Sequence, residues 1–254
     1  MQEIVSSVKR NYIADLARQR KRVDGRGLDQ YREISVEPGL IENADGSALA
    51  KIGNTQVLVG VKLQKGEPYP DTPESGVLIV NAELVPLASP TFEPGPPDEN
   101  AIELARVVDR GIRESQAIEL EKLVITPGEE VWIVFVDIHV LDQDGNLIDT
   151  SALAAISALW NTKPPKDEDW KLKKFPISKN PVTVTTAKIN GEMMVDPCLD
   201  EESVMEARIS MATTEDGNIC AIQKGGSGTL TLQDIDKAYE LAVTKADELR
   251  KYVK

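Results

Sequence analysis

Eleven consecutive residues, VWIVFVDIHVL at 131–141, constrain the fold more than any other stretch of this chain. Nearly all are apolar and most are β-branched, and neither glycine nor proline interrupts them, so the run is predicted to be a strand continuous enough to be buried on both faces. Such a strand belongs inside a sheet, and the chain before it supplies neighbours. Residues 48–52 and 56–63 are short β-like runs joined at Gly53-Asn54, a hairpin signal, and 76–85 (GVLIVNAELV) is a third. PTFEPGPPDEN at 90–100 is a loop, 100–120 is helical, DQDGN turns after the long strand, and 150–159 is a helix of small residues suited to close packing.

The pattern then restarts. Residues 161–181, rich in Pro and Lys and without a period, form a crossing connection between two halves. Beyond it, 182–189 is a strand, 203–213 and 218–223 form a hairpin over Glu215-Asp216-Gly217-Asn218, and 234–252 is a helix carrying Leu232, Ile235, Tyr239 and Ala242 at helical spacing. At the other end, Ile4, Val8, Ile13 and Leu16 mark a leading helix over 3–19, and the basic RQRKRVDGR breaks at Gly25. Strands followed by a helix in each half predict an α+β fold of two related layers. The expected division is 1–25 as helix and basic loop, 26–165 as the first half and 166–254 as the second.

Charge and cysteine usage narrow the function. At 254 residues and 41% hydrophobic the chain can bury a core unaided, and a net charge of −13 repels nucleic acid as a whole, so any RNA contact has to be local. Cys198 and Cys220 are too few and too far apart for a disulfide framework or a metal motif. The start of the chain lacks a signal-length apolar core and no run spans a bilayer, so the expectation is a soluble, cytoplasmic protein with no membrane association.

Several short stretches invite a chemical reading. DEESVMEARISM at 200–211 crowds Asp200, Glu201, Glu202 and Glu206 at what reads as a strand entry, with Glu206, Arg208 and Ser210 on one face. Glu202 and Glu206 are possible oxygen ligands for a metal, but a solvated strand entry is the preferred reading. His139, the only histidine, alternates with Asp137 on an apolar strand and reads as structural, which leaves no base and nucleophile pair for a triad. DQDGN lacks the further ligands of a calcium loop, and KGGSGT at 224–229 lacks a GK[ST] ending, so both read as turns. In IELARVVDRGIRES at 102–115, Arg106, Arg110 and Arg113 form a stripe opposite Ala101, Ala105, Val108 and Ile112. A stripe of guanidinium groups suits successive phosphates, while pairs such as Asp109 with Arg113 and Arg110 with Glu114 would make it a solvated face. Spacing alone leaves both open.

Taken together, RVDGRGLDQYREI at 22–34, GSALAKIGNTQVLVGV at 46–61 and IELARVVDRGIRES resemble the RNase PH-like family, and within it the non-catalytic type of ring subunit in the archaeal exosome. The resemblance runs from about residue 20 to the C-terminus. It implies an RNase PH fold of two βαβα-type halves, related to the second domain of ribosomal protein S5, in a hexameric ring where this subunit alternates with a catalytic relative. Catalytic members carry a GTR-type phosphate loop after the long strand and two aspartates six residues apart on a later strand. The resemblance places Asp149 at or next to the arginine of that loop, Glu202 at the first acid and Arg208 at the second. These are degenerate former active-site positions, and a carboxylate at the loop would repel phosphate. The implied role is ring building and RNA binding through Arg106, Arg110 and Arg113, Arg113 being the weaker, with no catalytic residue, metal or cofactor of its own. The implied partners are the catalytic subunit, RNA-binding cap subunits and single-stranded RNA. Two other classes stay open: a self-sufficient phosphorolytic nuclease with a rearranged site using Asp200 and Glu206, and a scaffold that never touches RNA.

Overall fold

A computed structural model of the chain describes residues 7–253. The first half comprises β1 (Ile34–Pro38), β2 (Gly46–Ile52), β3 (Thr55–Gly66), β4 (Val77–Leu84), α2 (Glu99–Glu114), β5 (Val124–Thr126), β6 (Glu130–Asp142) and α3 (Leu147–Trp160), preceded by α1 (Ser7–Arg18). Its sheet runs β1-β2-β3-β6-β4, with β5 on β6. Only β4 and β6 are parallel, and α2 lies in the crossover that parallel pairing requires. The second half comprises β7 (Val182–Ile189), β8 (Glu192–Val195), α4 (Leu199–Glu202), β9 (Ala207–Thr213), β10 (Ile219–Gly225) and α5 (Leu232–Arg250), with an antiparallel sheet β10-β9-β7-β8.

α3 joins the halves. Every residue from Ile148 to Leu159 is buried, and the helix packs on β2 and β3 on one side and on β7 on the other. Alanines and serines make this possible, because small side chains let both sheets approach the helix backbone. α1 docks Ile13 and Ala17 against Leu28, Ala187, Ile189 and Met194 of the second half. In its expected stripe Val8 is exposed and Leu16 half-buried, while Ile4 lies outside the described residues. Among the described residues no helix is long and apolar enough to cross a membrane.

Several expectations need correction. β6 is buried on one face only: Trp132, Val134, Val136, Ile138 and Val140 enter the core, whereas Ile133, Phe135, Asp137 and His139 are half-buried on the other side. There Asp137 accepts a hydrogen bond from Asn81 at 3.1 Å and His139 lies 3.3 Å from Glu83, both pairs directly opposite in the β4–β6 register. The helix expected to reach residue 120 stops at Glu114, because Ser115 caps it and Gln116 turns left-handed (φ 54°). The stripe expected on the last helix is displaced: Leu232 and Tyr239 are exposed, and Ala238, Ala242, Ala246 and Leu249 face the second sheet. The acidic run is no strand entry either. Residues 199–202 form the helical turn α4, and the strand begins only at Ala207, past Glu206.

Candidate functional site

On α2, Asp98 starts the helix by accepting from the Ala101 N–H at 2.8 Å, and Ala101, Leu104, Ala105, Val107, Val108 and Ile112 turn inward. That leaves the arginine stripe exposed. Arg113 is held by Asp109 at 2.6 and 3.0 Å and donates to the Leu78 carbonyl, and this pairing raises its pKa further above the usual guanidinium range. Arg106 and Arg110 make no ion pair or side-chain hydrogen bond among the described residues, and the considered pair of Arg110 with Glu114 does not form. All three line one shallow depression with Val80, Ala105, Asp109 and Glu114. Two guanidinium forks are therefore free to take an anion with paired oxygens, such as phosphate.

Beside the N-terminal part of α2 lies a cleft of about 260 Å³ bounded by the start of α3, α4 and β9. Glu202 and Arg208 meet here with Glu103, Gln143, Leu147 and Ile148. Glu202 accepts from the Asn146 N–H at 2.9 Å, and burial raises its carboxyl above the ordinary range. Arg208 donates to Glu103 at 3.3 Å, which also accepts from Gln223 at 3.0 Å. Where a pair of acids would serve general acid–base work, there is one half-buried carboxyl and one guanidinium already committed to a different carboxylate.

Asp149 does not line this cleft; Leu147 and Ile148 do. Its carboxylate points between the halves, fully buried, where it accepts from Tyr31 Oη (2.7 Å), Asn146 Nδ2 (2.9 Å), and the Thr185 N–H (2.9 Å) and hydroxyl (2.7 Å). The expected carboxylate facing phosphate is thus replaced by apolar side chains, because a residue three places into α3 projects toward β7. Desolvation outweighs those four bonds and raises the Asp149 carboxyl from 3.8 to about 6. The folded chain then holds this proton more tightly than the unfolded one, so the contribution is complete below the unfolded value and is lost as pH rises through about 6. Unfolding free energies of the parent and Asp149→Asn should therefore differ by an amount that shrinks with rising pH, by at most about 1.4 kcal/mol per unit. Urea titrations at several pH values test this, and a pH-independent difference refutes it.

A third cluster went unread in the sequence. Arg22 is buried in an ion pair with Glu201, its Nε 2.8 Å from Oε1, and donates to the Val195 carbonyl at 2.8 Å. Asp196, with no exposed surface, takes Arg26 at 2.8 Å, Arg32 at 2.8 and 3.0 Å, and Asn146 at 2.8 Å. The spacing of arginines in RVDGRGLDQYR was visible, but nothing marked Asp196 as their common acceptor. The same web fixes the DQDGN turn: Arg32 donates to the Asp144 carbonyl, and Gly145 (φ 85°) leaves no room for a Cβ, which would lie 2.5 Å from the Cys198 carbonyl carbon.

The remaining candidates resolve simply. Asp200 pairs with Lys9 at 2.6 Å and Glu206 accepts from the Asn190 N–H at 2.8 Å, and neither lines the cleft. Among the described residues no group of three or more His, Cys, Asp or Glu side chains is placed to hold a metal ion. In KGGSGT, Gly226 and Gly228 lie so close to the Glu206 carbonyl that an added Cβ would sit 2.8 and 2.6 Å from it, so the segment is a tight turn.

Family models match on both sides of the connection: the 3′ exoribonuclease family domain 1 over residues 30–165 and domain 2 over residues 179–245. Among relatives, the exosome complex component Rrp42 of Thermococcus onnurineus is 54% identical, covering 99% of this chain and 96% of the relative. That of Archaeoglobus fulgidus is also 54% identical, covering 100% and 98%. Among solved structures, a chain of the Archaeoglobus fulgidus exosome with RNA bound to the active site superposes with a TM-score of 0.94 at 54% identity, covering 99% of this chain and all of that one. A chain of an archaeal exosome core gives 0.88 at 50% identity, with 97% and 96% covered.

Proposed function

We propose, from the premise that this chain belongs to the RNase PH-like 3′ exoribonuclease family, that it is the non-catalytic, RNA-contacting ring component of an archaeal exosome. In this reading it alternates with a catalytic RNase PH-like subunit in a six-membered ring in the cytoplasm, carries RNA-binding cap subunits, and supports the neighbour's phosphorolysis of single-stranded RNA from the 3′ end. The observation that carries it is the cleft, where Arg208 is bound to Glu103 beside Glu202 and the start of α3 offers Leu147 and Ile148. Phosphate finds no cradle there, and the second acid of the cleft, Glu103, is already engaged by Arg208 and Gln223. On α2, by contrast, Arg106 and Arg110 stand free for the phosphates of an RNA 3′ end.

A self-sufficient nuclease using Asp200 and Glu206 has little support, since Lys9 and Asn190 engage those residues away from the cleft. The scaffold reading draws on Arg113, which Asp109 neutralises, but not on its two neighbours.

Incubated with RNA and phosphate, the purified chain should release no nucleoside diphosphates, and the mixture with its catalytic partner should. A robust rate from the chain alone, abolished by Glu202→Ala, would overturn the assignment. Arg208→Asp by itself should remain inactive, because it restores an acid without restoring a phosphate loop. Ring formation is tested separately. β1 and β10 lie at sheet edges, and such edges are commonly covered by assembly. Light scattering of the mixture should give a particle of six subunits, whereas a one-to-one dimer that never grows would count against the ring.

A further inference from the structure

Residues 161–181, the connection between the halves, carry six lysines against three acids, in a chain whose net charge is −13. Two of those acids, Asp167 and Asp169, are taken up by Lys65 of β3. Lys173 and Lys174 are exposed and make no ion pair or side-chain hydrogen bond among the described residues. Both border an open depression of about 400 Å³ that the connection shares with the short helical turn Leu120–Leu123, which contributes Lys122. Trp160 and Leu172, each half-buried, line the same depression. Its carboxylate, Glu119, is paired with Lys122 at 2.5 Å.

The two walls are tied together. The Glu119 N–H donates to the Pro176 carbonyl at 2.9 Å, Ile118 and Ile177 form an isolated antiparallel bridge, and Lys179 donates to the Ser115 carbonyl at 2.8 Å. The depression is therefore built into the fold, just beyond the C-terminal end of α2. Lysines around a partly aromatic surface match the two features of a single nucleic-acid strand, its backbone phosphates and its flat base faces. An acidic protein surface answers the charge without supplying a flat ring. A duplex answers the charge but keeps its base faces stacked on one another. Because the chain as a whole repels nucleic acid, such a contact is confined to a few nucleotides.

We propose that this depression is a second contact for single-stranded RNA, with phosphates on Lys173 and Lys174, Lys122 as a weaker third because of Glu119, and a base against Trp160 and Leu172. The choice of RNA rests on the reading of the chain as a component of an RNA-degrading ring, whereas the contact itself needs neither Arg106 nor Arg110.

The full-length Arg106→Ala/Arg110→Ala chain removes the contribution of α2 and isolates this contact. Fluorescence anisotropy at low salt should show it binding a labelled single-stranded oligouridylate. Adding Lys173→Ala and Lys174→Ala should weaken that binding about tenfold, and make the dependence of log affinity on log salt shallower by roughly 1.4 for two lost phosphate contacts. Both lysines are exposed, so this variant should stay folded by circular dichroism. Duplex RNA of the same length and polyglutamate should each bind at least about tenfold more weakly than the single strand, having no free base face for the indole. The single strand should also quench indole fluorescence, and Trp160→Phe should remove the quench. Unchanged binding in the lysine variant, equal affinity for duplex or polyglutamate, or a quench that persists in Trp160→Phe overturns the proposal. If the parent binds RNA and the double arginine variant does not, this contact fails while the arginine stripe stands. If the arginine changes alter nothing and the lysine changes abolish binding, the contact stands and the stripe fails.

Discussion

Replacing Asp196 with Ala should cost about 3–5 kcal/mol of folding stability, the loss typical when one partner of a buried ion pair is removed. Asp196 has no exposed surface and is the shared acceptor of Arg26 and Arg32, whose side chains are only 12% and 9% exposed, and of the Asn146 amide. Without it two guanidinium groups remain buried with too few acceptors, and the arginines cannot swing to water without dismantling the loop that carries them. Its backbone is also left-handed (φ 48°), which Asp tolerates better than Ala. Asp196→Asn keeps the shape and the backbone preference and should fall between the two. Arg26→Ala should cost less, because Asp196 keeps Arg32 and the Asn146 amide, and Asp24, the other partner of Arg26, is open to water. Urea denaturation supplies the numbers, and a loss below about 1 kcal/mol for Asp196→Ala would show that the cluster rearranges around water.

Replacing Arg106 and Arg110 together with Ala should leave the ring assembled but weaken RNA binding by the complex by about 1–3 kcal/mol. Turnover of RNA should fall with it. If each arginine neutralises one phosphate of a single strand, the dependence of log affinity on log salt should become shallower by roughly 1.4, from two lost contacts at about 0.7 each. Lysine at both positions should restore the salt slope more fully than the affinity, since it keeps the charge and loses the bidentate fork. Arg113→Ala should do less, because Asp109 already occupies that guanidinium. A double Ala variant that assembles, binds and degrades RNA like the parent would make the stripe a solvated face and the subunit a scaffold.

Local signals read well where one physical effect dominates. The Gly53-Asn54 hairpin and the buried face of α2 follow from turn chemistry and helical periodicity, and both formed as expected. Asn190-Gly191 carries the same hairpin signal and builds the turn between β7 and β8, but β8 was overlooked because it is only four residues long. β6 misled because Ile133 and Phe135 are apolar on a face that the helices leave uncovered, so hydrophobicity there reports something other than burial in this chain. On α5 the large residues drew attention while alanines did the packing, since small side chains let the helix approach β7 and β9. The candidate site was legible in part. Arg106, Arg110, Glu202 and Arg208 could be placed from helical spacing and resemblance, whereas the burial of Asp149, the apolar lining by Leu147 and Ile148, and the convergence on Asp196 arise from packing between distant segments.

The ion pair between Arg22 and Glu201 spans 179 positions of the chain, and Arg26 and Arg32 reach Asp196 across 170 and 164. During synthesis the segment holding these arginines precedes its buried carboxylate partners, Asp196 and Glu201, by some 160–180 residues, as the sequence separations of the bonds show. The first half has its own sheet of mostly sequential antiparallel strands and can order while translation continues. The arginine loop must wait. Closing contacts of such long sequence separation is slow because the intervening chain has to be confined first, so docking of the N-terminal segment is expected to be the final folding event, completed only after emergence of β8 and α4. Until then Arg22, Arg26 and Arg32 lack Glu201 and Asp196, the buried carboxylates that hold them in the folded chain.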